Sequence, residues 1–131
     1  VTALANPLIW LAATAALGFV AFRAVKFRDS TAGLVLLGVA AGFLPWLLYL
    51  NRTVFQFYCV AFEPWLVLAI TYALAHYWRT RRAEQRASAF KWIRLFLVIC
   101  FGLSAYFYPT WVGITVPYWF WAAHMWLPSW I

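Results

Sequence analysis

Acid is scarce in this sequence. Its 131 residues include only three carboxylates, Asp29, Glu63 and Glu84, against ten lysines and arginines. A pair of acids working together, one as general acid and one as base, therefore has almost no material to be built from. Cysteine is scarcer still. Cys59 and Cys100 both fall inside apolar runs, where thiols are usually inert packing residues, so neither a disulfide nor metal ligation is expected. There is no HExxH, no Cys/His cluster and no grouping of acids for a divalent cation, and no glycine-rich phosphate loop; metal and cofactor sites are not expected. Ser104 and Ser129 lack a His–acid relay, and His76 reads as a polar residue near a membrane boundary rather than a base.

What the chain has in abundance is apolar surface. Two-thirds of the residues are hydrophobic and only a tenth are charged, more than one soluble core of this length could hide. The expected class is an all-α membrane protein with four transmembrane helices and a Trp-rich extracytoplasmic interfacial tail. The spans are placed at about 7–25, 32–50, 53–78 and 92–108, and the tail at 109–131, all in one domain. The net charge of +7 does not point to nucleic acid. Nine of the ten basic residues lie in two short stretches between apolar runs, FRAVKFRDS and RTRRAEQRASAFKWIR. That is the positive-inside pattern of a multi-pass plasma-membrane protein, with both termini of this piece extracytoplasmic. The opening residues lead directly into an apolar run, so the chain reads as a piece of a longer polypeptide.

The most informative stretch is 51–78, NRTVFQFYCVAFEPWLVLAITYALAHYW. Counted as a helix, Arg52, Gln56, Cys59 and Glu63 share one face. Pro64 follows the acid and is expected to weaken or kink the helix there. An acid in hydrocarbon costs roughly 2.5–3.5 kcal/mol, so Glu63 is expected to face a bundle interior or a wet cavity, with Gln56 as a further buried polar group. Asn51 and Arg52 form the short turn between the second and third spans, which makes these an antiparallel hairpin. Arg52 is the one basic residue on the outer side, at the level of a lipid phosphate, and its guanidinium fork suits a phosphate. A snorkelling contact or a structural ion pair is the plainer reading of Arg52. Phe55, Phe57, Tyr58 and Phe62 are read as an apolar wall below it.

Upstream, Asn6-Pro7 reads as a helix cap followed by proline at the first helical position, and Pro45-Trp46 as a kink with an interfacial indole. In the tail, prolines at 109, 117 and 128 are expected to break the chain into pieces too short to cross, with a short helix at about 117–127. Trp119, Trp121, His124 and Trp126 are its candidate interfacial residues, anchoring it at headgroup depth; the alternative is a wall that stacks on a sugar or packs on another domain.

The blocks RTVFQFY…AFEPWLVL and PYWFWAAHMWLPSWI, the span count and the tail resemble the C-terminal four-helix region of protein O-mannosyltransferases, in their actinobacterial form. The resemblance covers nearly the whole chain. It implies a GT-C glycosyltransferase that moves mannose from polyprenyl-phosphate-mannose to Ser or Thr of a secreted acceptor protein on the extracytoplasmic face. It also implies that the catalytic acids lie in the N-terminal half of the same enzyme, which has no counterpart here. On this reading the chain supports the lipid-donor site, with Arg52 toward the phosphate and Glu63 partnering a neighbouring helix. The competing reading is a small non-catalytic four-span subunit of a larger membrane complex; a transporter or channel has little support.

Overall fold

The computed structural model describes residues 5–49, 51 and 56–126. Five α-helices follow one another: α1 (Pro7–Phe27), α2 (Ser30–Leu47), α3 (Glu63–Arg79), α4 (Ala83–Trp111) and α5 (Tyr118–Ala122), with a 3₁₀ segment, Gln56–Ala61, before α3. No strand occurs among the described residues. Three helices, α1, α2 and α4, are long and apolar enough to cross a membrane.

Local chemistry accounts for most helix ends. Asn6 caps α1, its side-chain oxygen accepting from the amides of Leu8 at 3.1 Å and Ile9 at 3.3 Å, with Pro7 where its missing N–H does no harm. Arg28, at φ 50°, ends α1 in the left-handed region. Asp29 then caps α2 through the amides of Thr31 and Ala32, so only two residues reverse the chain. Gly113, at φ 72°, turns the chain after α4, and the Ile114 amide donates back to the Pro109 carbonyl at 3.1 Å, a Schellman-type closure.

Helices α1, α2 and α3 form the packed unit. Its core is two adjoining clusters, Ala16, Val20, Ala32, Val35 and Ala69, then Ala13, Val39, Phe62 and Leu66. Small residues let the backbones approach closely, which is how helices associate where lipid supplies no hydrophobic drive. Gly38 leaves room for the Trp65 indole and Gly42 for Phe62, a register that runs α2 and α3 antiparallel. Helix α4 is tied to α1 by the Asn6 amide, which donates to the Cys100 carbonyl at 3.0 Å and to Ser104 Oγ at 2.9 Å. Both cysteines are free thiols.

Several sequence expectations are corrected. The third span does not run unbroken from 53 to 78. Pro64 starts α3 instead of kinking it, because proline fits the first turn, where no intrahelical donor is needed. The common helical face of Arg52, Gln56, Cys59 and Glu63 is lost with it, since Gln56 and Cys59 lie in the 3₁₀ segment. Helix α2 ends at Leu47, two residues past Pro45, and not at 50. Helix α4 is far longer than 92–108. It absorbs most of the charged connection, whose Ala, Glu, Gln and Arg are good helix formers, and it continues through Pro109. The tail helix has five residues, not the expected eleven or so.

Candidate functional site

The two basic stretches share one end of the bundle. Tyr72 of α3 donates its hydroxyl to Asp29 at 2.5 Å, and Arg23 reaches both the same carboxylate at 3.3 Å and the Tyr72 oxygen at 3.2 Å. This ties the α1–α2 connection to α3 at Tyr72, whose ring also stacks on His76 one turn further along. The Tyr72 hydroxyl, then the Ala32 amide, with Arg23 and the Thr31 amide adding to them, hold the Asp29 carboxyl at about 2, below its ordinary 3.8. The Asp-Ser-Thr order before an apolar run is the sequence signal of this cap.

The opposite end gathers the start of α1, the end of α2, the start of α3 and the aromatic tail. Phe62, expected in a lipid-facing wall, is buried against Trp10 and Phe43 in edge-on contacts, at centroid distances of 6.4 and 5.7 Å. Glu63, expected to be buried, is exposed in the first turn of α3 and makes no ion pair with a described residue. Its placement follows from Pro64. A helix that begins there leaves the acid at the positive end of the helix dipole instead of mid-span. Arg52 and Phe55, and the side chains of Gln56, Phe57 and Tyr58, lie outside the described residues.

The tail folds back on α4 through His124. This residue is fully buried. Its ring stacks on Tyr106 at 4.0 Å and meets Phe107 edge-on at 5.1 Å. Nδ1 lies 2.6 Å from the Phe120 carbonyl oxygen and Nε2 2.9 Å from that of Tyr106, so the ring bridges main-chain acceptors on α5 and α4. Trp126 donates its indole N–H to the Ala123 carbonyl at 3.1 Å, and its ring packs on Phe107. Trp119 is 71% exposed, while Trp121 is half-buried. Trp121 also borders a cleft of about 420 Å³ with Thr110, Gly113, Thr115 and Tyr118, beside the reversal at Gly113.

Chemically, this end offers aromatic faces, hydroxyls and a single described carboxylate. No group of three or more His, Cys, Asp or Glu that could hold a metal occurs among the described residues. The arrangement can bind and position; it holds no acid–base pair among the described residues.

Comparison with known proteins covers nearly the whole chain. Over 127 residues, 95% of its length, the chain is 33% identical to the polyprenol-phosphate-mannose–protein mannosyltransferase of Mycolicibacterium smegmatis. The chain is homologous to these mannosyltransferases. The protein of the same name from Mycobacterium tuberculosis is 28% identical over the same share of the chain, and that of Corynebacterium glutamicum 31% identical over 72% of it. The chain spans about a quarter of the length of the curated relatives it matches: 25% of the first and 24% of the second. No family model matches it, and no solved structure matches it.

Proposed function

We propose that this chain is the C-terminal membrane portion of a polyprenyl-phosphate-mannose–protein mannosyltransferase and that it supports the lipid-donor site while catalytic acids come from elsewhere in the polypeptide. The observation that carries the reading is the homology along 95% of the chain to enzymes of that name. The shortage of acids at the aromatic end supports the division of labour. The donor is polyprenyl-phosphate-mannose, and the acceptor is Ser or Thr of a secreted protein.

On this reading α3 also crosses the plasma membrane, making four spans with α1, α2 and α4, and the aromatic end faces the extracytoplasmic side. Arg52 holds the donor phosphate by a charge-assisted fork. The exposed Glu63 meets a polar group on a helix outside these residues, because an acid left bare in lipid is costly. Trp119, Trp121 and Trp126 sit at headgroup depth, with His124 fastening their segment to α4.

The test is Arg52→Ala in the full-length polypeptide, reconstituted with polyprenyl-phosphate-mannose and a serine/threonine peptide. A charged hydrogen bond is worth about 1.5–3 kcal/mol, so the donor KM should rise roughly tenfold or more, with partial recovery in Arg52→Lys. Unchanged donor kinetics at normal expression would remove Arg52 from the site.

A further inference from the structure

Helices α3 and α4 do not close on each other along their basic halves. Between them lies a slot of about 420 Å³, lined by Thr71, Leu74, Ala75 and Trp78 on one side and Phe90, Ile93 and Leu97 on the other. Two of its lining residues carry polar side-chain groups: the Thr71 hydroxyl, which already donates to the Val67 carbonyl at 2.9 Å, and the Trp78 indole N–H. The slot therefore makes little polar demand on an occupant, and a peptide backbone placed there would find few partners. It is open to the outside: Phe90 is 59% exposed and Leu97 53%.

The rim has the opposite character. From the cap of α4 into the helix, Arg82, Arg86, Phe90, Ile93 and Leu97 follow one another at helical spacing, two cations leading into three apolar residues. The Arg86 guanidinium lies over the Trp78 ring, 5.1 Å from its centroid, so a cation sits directly on the wall of the slot. Between 79 and 94 there are six basic residues and one acid, Glu84. The one ion pair among the described residues, Arg23–Asp29, uses none of them. Exposed arginines without carboxylate partners, set at the mouth of an apolar slot between membrane-type helices, match a phosphate carried on a hydrocarbon chain.

We propose that the α3–α4 slot holds an anionic phospholipid, one acyl chain lying between Trp78 and Leu97 and the phosphate engaging Arg82 and Arg86. The occupant is a diacyl phospholipid, bound at the end of the bundle opposite Glu63 and the tail, and so is separate from the donor lipid. Charge complementarity selects it over a zwitterionic lipid, whose headgroup offers the arginines no net charge.

The experiment uses the full-length polypeptide, delipidated in neutral detergent and titrated with phosphatidylglycerol, phosphatidylcholine or polyprenyl phosphate while native mass spectrometry counts retained lipid. Wild type should retain one phosphatidylglycerol in preference to phosphatidylcholine. Arg82→Gln with Arg86→Gln, both exposed, should lower that affinity about thirtyfold, the worth of two arginine–headgroup attractions, and the double lysine variant should restore most of it. Ala75→Phe fills the slot with the rim intact and should weaken both phospholipids. Equal retention of the two phospholipids, binding unmoved by either change, or displacement of phosphatidylglycerol by equimolar polyprenyl phosphate would each overturn the assignment.

Discussion

Replacing Gly42 by alanine should force α2 away from the start of α3. A Cβ built there would lie 2.7 Å from the Phe62 Cβ and 3.2 Å from both the Phe62 Cα and the Ala61 carbonyl oxygen. Carbon atoms settle at about 3.5–4.0 Å, so the two segments must part by roughly 1 Å. None of these three atoms can rotate out of the way, since they belong to main chain or to the root of a side chain. Phe62 is itself held by Trp10 and Phe43, so the displacement spreads into the core. Overpacking of this kind costs about 1–3 kcal/mol, and the rigid surroundings argue for the upper part of that range. Gly18 is the control. Nothing lies within 4 Å of its added Cβ, and alanine there should gain about 0.5–1 kcal/mol of helix propensity. The assay is thermal unfolding of the full-length polypeptide in detergent. Gly42→Ala should melt well below wild type and Gly18→Ala at or above it. Equal melting of the two variants would refute the close approach of α2 and α3.

Two further outcomes follow from single contacts. Asp29 titrates at about 2 in the folded chain and near 3.8 otherwise, so its stabilising contribution is complete above the higher value and is lost as pH falls from about 4 to 2. Asp29→Asn should flatten the acid limb of a stability–pH curve in that window, and an unchanged limb would dismiss the Tyr72–Asp29 tie. His124→Ala should release the tail from α4, since leaving a buried acceptor without its donor costs about 1–3 kcal/mol. Limited proteolysis would then cut near Tyr118 at protease levels that spare wild type, and equal resistance would count against the staple.

Much of this architecture was legible in the residues, and the failures have identifiable causes. Long apolar runs marked the helices, and clustered arginines marked the connections that share an end. Asn6-Pro7 announced the start of α1. Proline was read in one way where two were available: the same residue that kinks a helix interior also opens one, and at Pro64 the second applied. Charge was over-read as loop in RTRRAEQRASAFK, although most of its residues favour helix once α4 can run beyond the apolar layer. At about 1.5 Å per residue the 29 residues of α4 reach roughly 43 Å, longer than a hydrocarbon core of ~30 Å, so a charged first turn costs little. His124 gave no local signal, because its burial depends on the reversal at Gly113 and on two carbonyls far apart in sequence. The place of Glu63 follows from the same boundary: with the helix opening at Pro64, the acid lies in the first turn of α3 and not mid-span.

The claim on which the account turns is that the aromatic end of this chain touches the donor lipid. A polyprenyl phosphate carrying a photoreactive diazirine next to the phosphate, activated on the full-length polypeptide in membranes and mapped by peptide mass, tests it directly. The account predicts adducts on residues 51–63. Adducts only on the 79–94 stretch, or none anywhere in these 131 residues, would contradict it.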